Sequence, residues 1–296
     1  MNSPRNTRWT AISAVVLFAM SAALPAQEGK AKKPGKAKKG ETPVAAAPER
    51  KDDAVTAKDK AIAAIDEFLG KHSPAKKADN WRTNMATPPL QKFTPGFDYF
   101  WHLRTNKGEI TIRLLTDVAP MHVTNAIYLT RAGFYDGLKF HRVIKGFMAQ
   151  GGCPLGTGSG GPGYLLEGEF ADGAKHDRPG MLSAANAGPG TDGSQFFLTF
   201  APEPHLDGKH TVYGEVKDGM KVVEALDACG GDMETGKSTE PLQIDSAWVT
   251  VVAQPGTNSG GDAKDGKGTD GGEKGGDKGG GKDAGKGGDK PGKKDK

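Results

Sequence analysis

The apolar residues of this chain are concentrated in one part of it, and this limits what can fold. The sequence has 296 residues, of which 44 are glycine and only 35% are hydrophobic. Residues 254–296 contain no valine, isoleucine, leucine, methionine or aromatic side chain. Such a segment cannot bury enough apolar surface to offset its conformational entropy, and its Gly, Lys and Asp content is typical of a disordered tail. We therefore expect one folded domain, over residues 96–253.

The N-terminus has the pattern of a secretory signal peptide. Arg5 and Arg8 precede an apolar run over residues 11–23, which is too short to span a bilayer comfortably, and small residues follow it. We predict a signal peptide over residues 1–26 and an exported protein in a periplasm, at the cell surface or in the medium. An uncleaved membrane anchor is the alternative, and no stable membrane insertion is expected after cleavage.

Two further segments precede the predicted domain. Residues 27–54 are rich in Lys, Pro and Ala without periodicity, which predicts a disordered linker. Residues 55–95 should hold a short helix, at 56–70, and a connecting segment; the helix either docks on the domain or frays. The net charge is +4, and much of the basic excess lies in the run at 30–39. We therefore expect no nucleic-acid partner.

Short β-prone runs separated by turn residues fill the predicted domain. Two alternating runs, 99–105 and 109–115, flank a short turn that ends in Gly108, which predicts a hairpin. Helices are expected from Pro120 to about Gly133 and over 220–229. Further strands are predicted at 138–144, 147–150, 180–184, 195–200, 211–216 and 244–252. This pattern favours an antiparallel barrel or sandwich over an alternating α/β sheet.

Two nucleotide-binding motifs occur in misleading contexts. Residues 156–161 match G-x-G-x-x-G, but Pro162 and a further glycine follow, so no helix can begin there. Residues 231–238 match the phosphate-loop pattern, but they follow a predicted helix, and Pro241 disfavours a helix after them. Both motifs therefore predict loops without a nucleotide.

No cofactor or metal is expected. The seven histidines are scattered without metal-ligand spacing, and there is no nucleophile-elbow motif. Only two cysteines are present, Cys153 and Cys229. The sequence is compatible with one disulfide between them or with two free thiols.

Four blocks carry the functional signal. They span residues 140–152, 180–189, 193–199 and 205–214. Taken alone, Arg142 in the first block is also compatible with a core strand whose arginine reaches solvent. In this order and spacing, however, the blocks resemble the cyclophilin family of peptidyl-prolyl cis–trans isomerases, over residues 99–252. The resemblance implies a mainly β fold, a closed eight-stranded antiparallel β-barrel capped by two α-helices, with a surface groove for Xaa-Pro peptides.

The resemblance also implies the residues of the groove. The catalytic residues would be Arg142, Phe147, Gln150, Asn186 and His210. The substrate-binding residues would be Met148, Ala185, Gln195, Phe197, Leu206 and His205. His205 stands where drug-sensitive members commonly carry Trp, and loss of the indole implies weaker cyclosporin binding.

The implied reaction needs no covalent chemistry. Rotation about a peptide bond crosses a barrier of about 18–20 kcal/mol because resonance is lost, and a fixed guanidinium could donate to the proline nitrogen as it becomes pyramidal. We therefore expect a monomeric isomerase that acts on proline-containing polypeptides and assists the folding of exported proteins. A non-catalytic proline-peptide binding module or chaperone using the same groove is the alternative.

Overall fold

The computed structural model describes residues 52–171 and 173–255. The expected signal peptide, and nearly all of the expected linker and tail, lie outside these residues. The α-helices of the described part are α1 (Lys60–Lys71), α2 (Pro120–Arg131) and α3 (Met220–Ala228). Its strands are β1 (Phe97–Thr105), β2 (Gly108–Leu114), β3 (Arg142–Ile144), β4 (Met148–Gly151), β5 (Met181–Ala184), β6 (Phe196–Thr199), β7 (Val212–Asp218) and β8 (Ile244–Ala253). None of the helices in this part is long and apolar enough to cross a membrane.

All eight strands belong to one antiparallel sheet, in the order β3-β4-β6-β5-β7-β2-β1-β8. Each of the eight predicted runs overlaps one of these strands, which confirms the mainly β antiparallel architecture. The turn between β1 and β2 ends in Gly108, whose φ is +131°. A Cβ there would lie 2.7 Å from Cγ2 of Val222 in α3, so the hairpin needs glycine for its backbone and for the helix packed on it.

The predicted closure of the barrel is overstated. Strands β3 and β8 are the two ends of the sheet and form no ladder with each other. The irregular segment before β3 bridges them instead: Gly137 N donates to Ile244 O at 2.7 Å, and Phe140 N donates to Leu242 O at 3.0 Å. The run predicted at 138–144 is regular only over its last three residues for this reason. The result is a curled, nearly closed sheet.

The main hydrophobic core fills the inside of the curl. Along β1, Tyr99, Trp101 and Leu103 are fully buried, and they alternate with residues that are less buried. Helix α2 packs on β7 and β8, and α3 packs on β2, β3 and β4. The two predicted capping helices are therefore both present.

A third helix, α1, packs on α2. Its Ile62 and Ile65 are each 1% exposed and belong to the main core. Arg131 at the end of α2 forms ion pairs with Asp66 of α1 and with Asp52. Since α1 covers the outer side of α2, residues 122–130 of α2 are buried on every side rather than on one face. Of the two alternatives for the predicted helix at 56–70, docking is the one observed.

Asp59 fastens the start of α1 to the sheet. Its Oδ1 accepts hydrogen bonds from the backbone N–H groups of Ala61 (2.9 Å) and Ile62 (3.0 Å), which caps the helix. Its Oδ2 accepts from the hydroxyl groups of Tyr99 in β1 (2.7 Å) and Thr94 (3.0 Å). One buried carboxylate therefore serves both the helix cap and the strand, although it precedes the domain start that we predict at residue 96.

The two misleading motifs are loops, as predicted. Residues 156–161 fold around Cys153, whose sulfur accepts N–H groups from Gly158 (3.2 Å) and Gly160 (3.3 Å). Residues 231–238 follow α3 without a further helix. Cys153 and Cys229 are both buried and unpaired, so the thiol alternative is the one observed.

We predict that Asp59→Ala destabilises the protein by roughly 2–4 kcal/mol, because it removes a helix cap and leaves the buried hydroxyl of Tyr99 without its acceptor. Urea unfolding of the parent and the variant measures this. Asp79→Ala is the matched control, because Asp79 is exposed and makes no hydrogen bond within the described residues; it should stay within about 0.5 kcal/mol of the parent. Equal stability of the parent and the Asp59 variant would contradict the role of Asp59 in fastening α1 to the sheet.

Candidate active site

The strand register places four residues in one row across the sheet. Arg142 of β3 is opposite Gln150 of β4, Gln150 is opposite Phe197 of β6, and Phe197 is opposite Ser183 of β5. Directly opposed residues of antiparallel strands point to the same face. The alternate positions, such as Leu198, belong to the core inside the curl. The row therefore lies on the outer face of the sheet.

An apolar surface adjoins this row, and we call it the apolar floor. It is a hydrophobic cluster separate from the main core, with buried residues from strands β3, β4 and β6 and from the turn at 204–206. Its members are Ile144, Met148, Phe197 and Leu206, with Phe147 and Ala185 packed against them. An apolar cluster on the outer face of a sheet is suited to bind an apolar ring while the barrel core stays intact.

Arg142 is the charged residue of the row. Its side chain is half-buried, and its guanidinium has no hydrogen-bond acceptor or carboxylate partner among the described residues. Burial lowers the pKa of the guanidinium from its usual value, but an arginine remains charged at neutral pH. The donors of this cation are therefore available to a ligand on the groove face.

Two glutamine amides form a relay beside Arg142. Gln150 Nε2 donates to Gln195 Oε1 at 2.9 Å. Gln195 Nε2 donates in turn to the carbonyl oxygens of Gly158 (2.7 Å) and Gly160 (2.9 Å). Because carbonyl oxygens only accept, this fixes the orientation of both amides. The loop at 156–161 thereby holds Gln150 in place, and the Gln150 amide oxygen remains an acceptor.

Two histidines lie against Phe197. The ring of His176 stacks on it with centroids 5.8 Å apart, and the ring of His210 meets it edge-on at 5.5 Å. Desolvation lowers the pKa of both histidines below the usual value, so both are neutral at neutral pH. His176 is fully buried and bonds to Asp207 (2.8 Å) and Ser183 (2.9 Å). Sequence reasoning missed His176, because it lies in no motif and its partners are distant in the chain.

The loop after β5 forms a wall beside the apolar floor, since Ala185 at its start packs against the floor. His210 Nδ1 is 2.9 Å from Ala184 O, and since a carbonyl only accepts, Nδ1 carries the proton and Nε2 is unprotonated in the neutral ring. Asn186 Nδ2 donates to Lys209 O at 3.0 Å, which ties this loop to the segment that carries His210. These contacts bring Asn186 and His210 to the same wall.

His205 lies at the edge of the groove. Its ring is exposed and stacks on Phe147 with centroids 6.0 Å apart, and its Nδ1 is 3.3 Å from a carboxylate oxygen of Glu203. All eleven predicted site residues thus form one connected set around the apolar floor. Their individual roles remain predictions.

An ionic triad, of which His122 and Asp192 are buried, lies next to this wall. His122 in α2 bonds through Nδ1 to Glu169 at 2.6 Å and through Nε2 to Asp192 at 2.9 Å. Asp192 is 1% exposed, and it also accepts from Thr211, the neighbour of His210. Both histidine partners are carboxylates, so both ring nitrogens donate and the ring is an imidazolium. Sequence reasoning missed the triad because its members are dozens of residues apart.

The pKa shifts of the triad agree with this geometry. Burial alone would lower the pKa of His122, but the hydrogen bonds and charges of Asp192 and Glu169 raise it above the usual value. Burial likewise opposes ionisation of Glu169 and Asp192, but their bonds to His122 lower the pKa of each carboxyl. The charged triad is therefore the state that the fold favours.

We predict that His122→Gln destabilises the protein by about 3 kcal/mol at mildly acidic pH, because it leaves the buried carboxylate of Asp192 and the half-buried carboxylate of Glu169 without their cation. The contribution of His122 to the free energy of unfolding is fully present below about pH 6.5, the pKa of a histidine in the unfolded chain. It is lost as the pH rises through the raised pKa of His122 in the folded protein. The contributions of Glu169 and Asp192 to stability are present above about pH 4. They are lost as the pH falls through the lowered pKa values of these carboxyl groups in the folded protein.

Urea unfolding across this pH range measures the difference in stability between parent and variant. It should be largest between about pH 4.5 and about pH 6.5, and should shrink in alkali. His72→Gln, at an exposed histidine after α1, is the control and should give a small difference at every pH. A His122 difference that stays constant into alkali would contradict the charged triad.

Comparison with known proteins places the described strands in a known family. The family model of cyclophilin type peptidyl-prolyl cis-trans isomerases matches residues 100–249. A peptidyl-prolyl cis-trans isomerase of Helicobacter pylori is 49% identical over 126 residues, which are 42% of this chain and 77% of that protein. A probable peptidyl-prolyl cis-trans isomerase A of Mycobacterium leprae is 44% identical over 165 residues, 50% of this chain and 90% of that protein.

Among solved structures, a cyclophilin type isomerase of Cryptosporidium parvum, determined in the presence of the dipeptide Ala-Pro, has 34% sequence identity and a TM-score of 0.49. The alignment covers 51% of this chain and 98% of that one. The segment that the family model matches begins in β1 and ends in β8, so α1 lies outside it.

Proposed function

Because this chain belongs to the cyclophilin-type peptidyl-prolyl cis–trans isomerase family, and is an isomerase of that type, we propose that it binds Xaa-Pro segments on the outer face of β3, β4 and β6, with Arg142 as the principal catalytic residue. One observation carries the proposal. The guanidinium of Arg142 is half-buried and has no polar partner among the described residues, and Arg142 belongs to the same sheet face as the apolar floor.

The barrier to the reaction explains why such a cation suffices. Amide resonance opposes rotation about the Xaa-Pro bond by about 18–20 kcal/mol, and the uncatalysed reaction takes tens of seconds or more. As resonance is lost, the proline nitrogen becomes pyramidal and gains a lone pair. A guanidinium that donates to this lone pair stabilises the twisted amide more than the planar one, and this difference lowers the barrier. No nucleophile is needed.

The apolar floor would hold the proline ring while the rest of the peptide turns. Met148, Phe197 and Leu206 pack together in the floor, and Phe147 packs against them. Burying a proline ring there removes apolar surface from water and keeps water from competing for Arg142. Because Phe197 is held by His176 and by its strand neighbours, the floor is preorganised rather than formed on binding.

The polar residues would fix the peptide backbone. The Gln150 amide oxygen is directed by the relay through Gln195, and can accept a peptide N–H group. Asn186 and His210 lie on the wall formed by the loop after β5, where neutral His210 offers an unprotonated Nε2. These residues would position the amide so that its nitrogen meets Arg142, which is catalysis by orientation.

We predict that Arg142→Ala in the full chain lowers kcat/KM for an Xaa-Pro test peptide about a hundredfold or more, since the donor to the proline nitrogen is lost. Exchange of the peptide isomers, followed by NMR, measures the rate. Arg104→Ala is the matched control, because Arg104 is an exposed arginine of β1 paired with Glu109; it should keep the parent rate.

A folded Arg142→Ala variant with the parent rate would refute the role of Arg142. A folded parent that binds the peptide without turning it over would favour the alternative, a non-catalytic proline-peptide binding module.

We propose further that the clients are exported proteins. The support is the leader pattern of residues 1–26, which lie outside the described residues. Fractionation of the native cells, with mass spectrometry of the N-terminus, tests this. A chain that starts after Ala23 or Ala26 and lies outside the cytosol is expected, whereas an uncleaved cytosolic chain would contradict export.

A further inference from the structure

The loop after α3 covers the free edge of strand β3. Strand β3 is the last strand of the sheet and has only three residues. Gly231 N donates to Val143 O at 3.0 Å, Lys145 N donates to Gly231 O at 3.0 Å, and Val143 N donates to Gly236 O at 2.8 Å. The strand that carries Arg142 is therefore held on one side by β4 and on the other by this loop.

One glycine of this loop packs directly on Arg142. Gly236 is buried, whereas residues 232–235 before it are exposed. A Cβ on Gly236 would lie 2.6 Å from Cγ of Arg142, and 3.4 Å from its Nε and from Cγ1 of Ile144. The first distance is too short for any side chain, so a larger residue would displace the Arg142 stem. The φ of Gly236 is +56°, a left-handed value that also favours glycine.

Packing contacts restrict the conformation of the Arg142 side chain. An arginine side chain has several rotatable bonds and populates many rotamers unless contacts select one. The Arg142 guanidinium has no polar partner among the described residues that could fix it, so its position depends on how its aliphatic stem is packed. The flat surface of Gly236 lies against that stem.

We propose that Gly236 is a positioning residue for the isomerase reaction: it holds the stem of Arg142 so that the guanidinium meets the proline nitrogen. This inference rests on the proposed catalytic role of Arg142. The proposal also explains two glycines of residues 231–238, the segment that matches the phosphate-loop pattern. At each of them another part of the chain lies too close to the backbone for a side chain. The second is Gly231, where a Cβ would lie 2.2 Å from Lys237 O.

Side-chain contacts within the loop set its shape. Asp232 Oδ1 accepts hydrogen bonds from the backbone N–H and the hydroxyl of Thr235, each at 2.8 Å. Gly236 N donates to Asp232 O at 2.9 Å, which closes the turn just before the residue that contacts Arg142. Asp232 and Thr235 are exposed and belong to neither the apolar floor nor the row of Arg142.

The test is Gly236→Ala in the full chain, with kcat and KM measured separately on an Xaa-Pro peptide. We expect kcat to fall about tenfold or more and KM to stay within about threefold, because the new methyl group displaces Arg142 but meets the apolar floor only at van der Waals distance, on Ile144. Gly137→Ala is the matched control: its φ is +75°, and a Cβ there meets nothing within 4 Å. It likewise places a side chain at a left-handed φ, and it should keep the parent kcat.

A double-mutant cycle separates positioning from general destabilisation. Arg142→Ala removes the Cγ atom that the new methyl group would meet, so Gly236→Ala should cause less than about a twofold further loss of turnover in that background. An equal fold loss in both backgrounds would overturn the proposal, as would a Gly236→Ala variant with the parent kcat. If Arg142→Ala itself kept the parent rate, the proposed role of Arg142 would fail instead.

Asp232→Ala provides a second variant if Gly236→Ala is too unstable to assay. It removes the two bonds to Thr235 without adding an atom near Arg142. We expect kcat to fall about threefold or more, and this loss to be absent in the Arg142→Ala background. An Asp232 variant with unchanged kcat would count against the loop as the support of Arg142.

Discussion

The alternation of side chains across strands β3, β4, β6 and β5 determines both the core and the groove. Because successive residues of a strand point to opposite faces, the register that puts Val143, Ala149 and Leu198 in the core also puts Arg142, Gln150 and Phe197 outside. A slip of one residue would exchange the two sets, and a cation would then enter the core while apolar side chains faced water. The stability of the barrel and the arrangement of the site therefore have the same physical origin.

The surroundings of each titratable side chain determine whether it is charged. His122 is charged because two carboxylates flank it, whereas His176 and His210 are neutral because they are desolvated against Phe197. Neutral rings do not compete with Arg142 for the electron-rich parts of a bound peptide. The charge of the row thus comes from Arg142, whose protonation does not change in the physiological pH range.

The sequence was sufficient for the strands and for α2 and α3, and through the family resemblance it indicates groove residues whose roles remain predictions. Local periodicity and turn residues indicate where elements lie, and the four blocks identify the groove. What the sequence did not reveal depends on contacts between distant residues: Asp59 bonding to Tyr99, His122 between Glu169 and Asp192, and Gly236 against Arg142. No local pattern encodes such pairs. The incomplete closure of the sheet also depends on distant residues, since the segment before β3, rather than β3 itself, bonds to Leu242 and Ile244.

In the proposed mechanism, Arg142 donates to the proline nitrogen while the apolar floor holds the ring. A crystal structure of the full chain with a bound Xaa-Pro peptide tests it most directly, through the distance between the guanidinium nitrogens and the proline nitrogen. We expect a guanidinium nitrogen close to hydrogen-bond range, about 3–4 Å for a planar ground-state amide, with the ring on Phe197 and Leu206. A proline ring seated on another surface, or an Arg142 that turns away from the peptide, would contradict the account.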